Sequence, residues 1–172
     1  MLVLGIDPGT ITTGYGLVES DGADAALIDC GAVRAPAKQP IEQRLWQMHT
    51  GIAAVIERIR PAAVAIEEPF VVRAPRRAAL AVGEARASVM LAAVGAGLPV
   101  FHYPPTKVKQ AVAGYGGGDK EQVRRMVEMI LGVDLSEHPL DVSDALAVAL
   151  CHSRLTTLLA MAADTEPAKA RR

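Results

Sequence analysis

The stretch LVLGIDPGTITTGYGLVE, residues 2–19, decides the fold. Leu2 to Ile6 is an almost unbroken apolar run, as in a strand buried on both faces. It runs into Asp7 and then into Pro8-Gly9-Thr10, a turn by composition. Thr12 to Glu19 reads as a second strand, with Gly14 and Gly16 allowing close backbone approach. Asp21-Gly22 is a hairpin signal, and Ala25 to Val33 reads as a third strand. Three strands joined by short turns predict an antiparallel meander with an acidic group at the end of its first strand.

Beyond the meander the period changes. Leu45, Met48, Ile52, Val55, Ile56 and Ile59 share one helical face over 41–59, and Pro61 stops that helix. Ala63 to Glu67 is a fourth apolar strand, reached by a helical crossover and so parallel to the first. An Ala-rich helix follows over 75–94, ended by Gly95 and Gly97. Val100 to Tyr103 is a short fifth strand and Thr106 to Ala113 a short helix. Asp119 caps a helix over 120–131, and Pro139 starts a last helix running to about Ala162. The expectation is one α/β domain over residues 1–163, a mixed five-stranded sheet flanked by helices, with a disordered polar tail over 164–172. Strands one and four are central neighbours in this reading, so Asp7 and Glu67 project from the same end.

A chain of 172 residues that is 51% hydrophobic and 22% charged is globular rather than disordered. With aromatics at 3%, the core must be built from Ala, Val, Leu and Ile. No apolar stretch of membrane-spanning length runs without interruption, no basic-then-apolar leader opens the chain, and Cys30 and Cys151 lack metal spacing. These features predict buried thiols, no membrane partner and a cytoplasmic setting. The net charge of −1 conceals an asymmetry. Residues 73–125 hold nine Lys or Arg against three acids, a net +6, and the remainder carries −7. That polarity fits an anionic partner on one face, and equally fits ordinary solvated helices.

Four carboxylates carry the chemistry. Asp7 and Glu67 end apolar strands, and Asp141 and Asp144 share a face at the head of the last helix by their i, i+3 spacing. Acids crowded at buried strand ends repel one another unless a cation lies between them. Hard oxygen donors of this kind suit magnesium or manganese. Two such ions can activate water and stabilise the leaving oxygen of a phosphodiester. Singly, each signal also fits a turn, a helix cap or a surface pair.

Larger motifs join these residues. Gly5-Ile6-Asp7-Pro8-Gly9 with Thr13-Gly14-Tyr15-Gly16 resembles the opening of the RuvC family of Holliday-junction resolvases. Ala65-Ile66-Glu67-Glu68-Pro69-Phe70 resembles that family's second motif. Pro99-Val100-Phe101 with Val108-Lys109-Gln110-Ala111-Val112 and Gly114 resembles its third, and Asp141-Val142-Ser143-Asp144-Ala145-Leu146-Ala147 its last. The resemblance spans about residues 1–155 in order. It implies a ribonuclease-H-like fold and a homodimeric endonuclease that nicks two strands of a four-way DNA junction symmetrically, leaving 5′-phosphate ends, in recombination and repair. It also implies two Mg2+ per active site, replaceable by Mn2+, and a RuvA-RuvB branch-migration motor as partner. Asp7, Glu67, Asp141 and Asp144 become the metal-binding catalytic set. Some family members carry His where this chain has Asp141, so the set here is fully acidic.

The same resemblance places Lys109 and Lys120 near the scissile phosphate, where ammonium groups stabilise developing charge. Lys107 is assigned a DNA contact only. Phe70 matches an aromatic that wedges or stacks at the junction; the alternative is a Phe closing the core. Arg73, Arg76 and Arg77 follow it and suit backbone phosphates. The run Gly114 to Gly118 reads as a mobile loop rather than a phosphate cradle. His49, His102, His138 and His152 share no ligand spacing. Ala78, Ala81, Ala85 and Ala92, with Val82, Val89 and Leu91, give the helix over 75–94 a small-residue face for the core or for a dimer, and the resemblance favours the dimer. Two other classes compete. One is a junction-binding module without catalysis, against which the intact carboxylates count. The other is a phosphate-loop ATP-binding protein of the sugar-kinase/actin type, suggested by Ile6-Asp7-Pro8-Gly9-Thr10 but lacking a second domain.

Overall fold

The computed structural model describes residues 1–21, 24–68, 76–114, 116 and 119–165, with side chains to residue 160. In chain order the elements are β1 (Leu2–Asp7), β2 (Thr12–Ser20), β3 (Ala25–Arg34), α1 (Ile41–Ile59), β4 (Ala63–Glu67), α2 (Arg76–Gly95), β5 (Val100–Tyr103), α3 (Pro105–Ala113), α4 (Lys120–Leu131) and α5 (Leu140–Thr165). The strands form one sheet in the order β3-β2-β1-β4-β5. The meander is antiparallel, and β4 and β5 run parallel to β1. This is the expected mixed five-stranded α/β sheet, with β1 and β4 side by side.

Strand alternation sorts the core into two layers. Leu4, Ile6, Leu17, Val64 and Ile66 pack with Ile52, Val55 and Ile56 of α1 and Val89, Ala92 and Ala93 of α2. On the other face, Val3, Val18 and Ala65 pack with Val142, Leu146 and Leu150 of α5, and with Val108, Val112, Val123 and Val127 of α3 and α4. The sheet is thus covered on both sides, which explains why β1 and β4 are apolar at nearly every position.

The α5 side of the sheet has a glycine floor. A Cβ on Gly5 would lie 2.0 Å from the Ala145 carbonyl oxygen, and one on Gly14 would lie 2.0 Å from that of Asp141. At Gly16 the added carbon would meet the Leu146 side chain at 2.4 Å. The helix backbone therefore rests almost directly on β1 and β2, with Ala145 and Ala149 on its contacting face.

Some boundaries depart from expectation. The last helix runs to Thr165, past the expected end near Ala162, so residues 164 and 165 of the expected tail are helical. Residues 166–172 lie outside the described residues. Cys151 is buried, but Cys30, on the outermost strand, is only half-buried; both are free thiols. By length and composition α2 could cross a membrane, with a mean hydropathy of 1.4. Glu84 and Arg86 interrupt it, however, Ala85 is buried, and Val89, Ala92 and Ala93 are buried in the α1 layer. Those buried positions correct the small-residue face: Ala85, Val89 and Ala92 belong to the core and are closed to a partner.

The glycine floor gives a paired test. Gly5→Ala should destabilise by about 1–3 kcal/mol or more, because backbone rather than a flexible side chain blocks the new methyl. Gly83→Ala, in α2 with nothing within 4 Å of the added carbon, should stabilise by about 0.5–1 kcal/mol. Urea denaturation of both variants checks the pair, and equal effects would refute the close approach of α5.

Candidate active site

Asp7 and Glu67 stand together because of register. Ile6 pairs with Ile66 across the parallel β1–β4 ladder, which sets the next residue of each strand side by side. Alternation then puts both on the face of Val3 and Ala65, toward α5. Asp7 also pairs with Gly14 across the β1–β2 ladder. Since the Asp141 backbone lies directly over Gly14, the first turn of α5 comes to rest beside the Asp7 strand end. One helical turn carries Asp144 to the same neighbourhood.

The electrostatics follow from this placement. Asp7 is pushed up to about 8, first by burial, then by the charges of Asp144 and Glu67, with Asp141 adding to them and Lys120 opposing. Glu67 is pushed up to about 7 by burial and then by Asp144, with Lys120 and Lys109 opposing. Lys120, the first residue of α4, donates to Asp144 Oδ2 at 2.5 Å. Burial works against the Lys120 charge, but the Asp144 bond and the charges of Asp144, Asp7 and Asp141 outweigh it and raise that group. The four acids and two lysines expected from the sequence thus form one electrostatic cluster.

A raised carboxyl has a consequence for stability. The unfolded chain ionises Asp7 near 3.8, while the folded chain holds the proton to about 8. Its contribution to stability is therefore complete below the unfolded value and is lost as pH rises through the folded one. Near neutrality the buried carboxyl works against the fold.

Among the described residues, no three of His, Cys, Asp and Glu stand close enough to hold one metal ion as placed. The histidines are engaged elsewhere. The ring Nδ1 of buried His152 lies 2.7 Å from the Tyr103 hydroxyl, and His49 Nδ1 lies 3.0 Å from the Ser88 carbonyl oxygen. His138 Nε2 approaches Cys30 Sγ at 4.0 Å, and His102 pairs with Arg86.

Supporting contacts hold the carboxylates in place; the sequence signalled the Asp119 cap but not the roles of Thr13 and Arg124. The buried Thr13 hydroxyl donates to the Gly9 carbonyl at 2.9 Å and accepts from the Gly9 amide at 3.2 Å, fixing the turn that follows Asp7. Arg124 of α4 donates to the carbonyls of Leu135 and, at 2.5 Å, His138, tying down the segment that leads into α5. Asp119 caps α4 through the Gln122 amide at 2.8 Å, which orients the turn bearing Lys120. A cleft of about 130 Å³ opens at the site, lined by Asp7, Pro8, Glu67, Glu68, Val82, Arg86 and Pro105.

The other expected contacts lie around this centre. Lys109 on α3 is half-buried and acts on Glu67 through its charge. Lys107 is exposed on α3, and Arg76 and Arg77 are exposed at the start of α2. Phe70 and Arg73 lie outside the described residues, as do Tyr115, Gly117 and Gly118 of the expected mobile loop. On the α1–α2 face, Trp46, Leu80, Leu91 and Val94 are each more than half exposed.

Comparison with known proteins identifies the family. The family model described as Crossover junction endodeoxyribonuclease RuvC matches residues 3–152. A protein of that name from Chloroflexus aggregans is 50% identical over 153 residues, 89% of this chain and 93% of that protein. One from Moorella thermoacetica is 48% identical over 153 residues, 89% of this chain and 91% of its own length. The structure of T. thermophilus RuvC in complex with Holliday junction substrate superposes with a TM-score of 0.85 at 41% identity, covering 92% of this chain and 96% of the other. With its acidic cluster on β1, β4 and α5 and the family match running through nearly the whole described fold, this chain belongs to the RuvC family of crossover junction endodeoxyribonucleases.

Proposed function

We propose that the protein resolves four-way DNA junctions by hydrolysing one phosphodiester in each of two strands. The observation that carries this reading is the convergence of Asp7, Glu67, Asp141 and Asp144, with Lys120 and Lys109, at one end of the sheet. So much negative charge in a half-buried site calls for cations. The donor set is all carboxylate oxygen and fits Mg2+, two per site, with Mn2+ able to replace it. When bound, such ions lower the pKa of the attacking water and stabilise the leaving 3′ oxygen, so that 5′-phosphate and 3′-hydroxyl ends result. Asp7 and Glu67, fixed by the β1–β4 register, would supply ligands from the sheet, and Asp141 and Asp144 would supply them from α5. Lys109 and Lys120 then serve the phosphate through their charge. Arg76, Arg77 and Lys107, with Arg73, hold the DNA backbone, and Phe70 stacks or wedges at the branch.

Cutting two strands in a symmetric junction calls for two sites related by a two-fold axis. The exposed apolar side chains of Trp46, Leu80, Leu91 and Val94 support a homodimer through the α1–α2 face. We also place the protein in the cytoplasm, working beside a RuvA-RuvB branch-migration motor.

Asp7→Asn separates the roles. Cutting of a four-way junction should fall by about 10²–10³-fold or more, with junction binding retained. In EDTA at pH 7.5 the variant should be more stable than wild type by about 1–3 kcal/mol, because a buried carboxyl with a raised pKa has been neutralised. The wild-type loss of stability between about pH 4 and 8 should flatten in the variant. Lost binding with an intact fold would remove Asp7 from this role.

Leu91→Glu should shift the protein toward a single-chain mass in analytical ultracentrifugation. It should also abolish paired nicking of the junction while leaving the melting of the domain near that of a monomer. An unchanged sedimentation profile would exclude this face as the dimer contact.

A further inference from the structure

Arg86 sits on α2 one helical turn after Val82, and both line the cleft that contains Asp7 and Glu67. Its Nη2 donates to His102 Nδ1 at 2.9 Å. That bond uses the His102 lone pair, so the ring must be unprotonated at Nδ1. Burial, and then the Arg86 charge, push His102 down, with Glu68 opposing. The remaining donors of the guanidinium are less well served. Its Nε is buried without a hydrogen-bond partner, and among the described residues Arg86 forms no ion pair with a carboxylate. Nη1, by contrast, is not among the buried unpaired atoms and carries no hydrogen bond among the described residues, so it is the donor open to an oxygen acceptor in the cleft.

We propose that Arg86 is a phosphate-binding residue of the active-site cleft, with its guanidinium held by His102 and its free donors taking a non-bridging oxygen of the DNA strand beside Asp7 and Glu67. A guanidinium suits this place because its planar fork binds phosphate from one side while another donor remains anchored. It approaches the strand from α2, whereas Lys120 and Lys109 approach from α4 and α3. The phosphate is then clamped between cations from separate elements. His102 is a positioning residue in this arrangement. The inference rests on the nuclease reading above, and it goes beyond that reading in assigning Arg86 and His102.

The test uses the full chain and four-way junctions carrying one neutral methylphosphonate, at the mapped cleavage phosphate or at either neighbour. Binding is measured in EDTA as a function of KCl. On the unmodified junction, Arg86→Gln should weaken binding about tenfold or more and flatten the log–log salt slope by about 0.9, while Arg86→Lys should retain the slope. At one of the three modified positions, wild type should fall to the level of Arg86→Gln, and the variant should lose nothing further. Single-turnover cutting of the unmodified junction should fall with Arg86→Gln and recover in part with Arg86→Lys. Additive losses at all three positions, or an unchanged salt slope, would overturn the assignment. If Arg86→Gln melts early, its binding is read at a temperature where it is still folded, and a salt slope equal to that of wild type there would overturn the proposal equally. Wild type that neither cuts the junction nor prefers it to linear duplex would overturn the nuclease reading instead, before any variant is compared.

Discussion

The rest of the structure depends on how closely α5 lies on the sheet. Gly5, Gly14 and Gly16 leave no side chain at the three positions where α5 comes closest to the sheet. The Asp141 backbone is thereby set against β2 at the residue that pairs with Asp7. Carboxylates more than 130 positions apart in the chain become neighbours through a contact made of backbone and methyl groups. At Gly5 and Gly14 the contact is with helix backbone, which has no flexible side chain to yield, and sites built on rigid elements are held more accurately than sites on loops.

The price of that geometry is electrostatic. Burial and mutual repulsion raise Asp7 and Glu67 far above ordinary carboxylates. Lys120, bound to Asp144, offsets part of the charge, and the hydrophobic layers on both faces of the sheet supply the stability that the site withdraws. A site this crowded is poised to accept positive charge. Cations near the carboxylates and a polyanion beside them would each be favoured by the presence of the other. The basic side chains bordering the cleft come from α2, α3 and α4, separate elements that converge on one strand end.

Much of this was legible in the sequence. The apolar runs of β1 and β4 implied a sheet covered on both faces, and the helical crossover between them implied parallel neighbours. Gly14 and Gly16 implied close backbone approach, but which element makes it emerged only from the packing of α5. What stayed hidden were pairings between distant side chains that leave no periodic trace. Arg124 bonding two carbonyls ahead of α5, Thr13 closing the turn after Asp7, and Arg86 meeting His102 are all of this kind. The small residues of α2 were ambiguous for a different reason. Alanine serves a core face and an interface equally well, and only their burial in the fold showed that Ala85 and Ala92 lie inside.

The central claim is that this acidic cluster is the catalytic centre of a junction-selective, metal-dependent nuclease. The most direct measurement is cleavage of a synthetic four-way junction against a matched linear duplex, with Mg2+, with Mn2+ and with EDTA. The account predicts paired, symmetric nicks in the junction alone, bearing 5′-phosphate ends, and only when a divalent ion is present. Equal cutting of the linear duplex, or cutting that persists in EDTA, would contradict it.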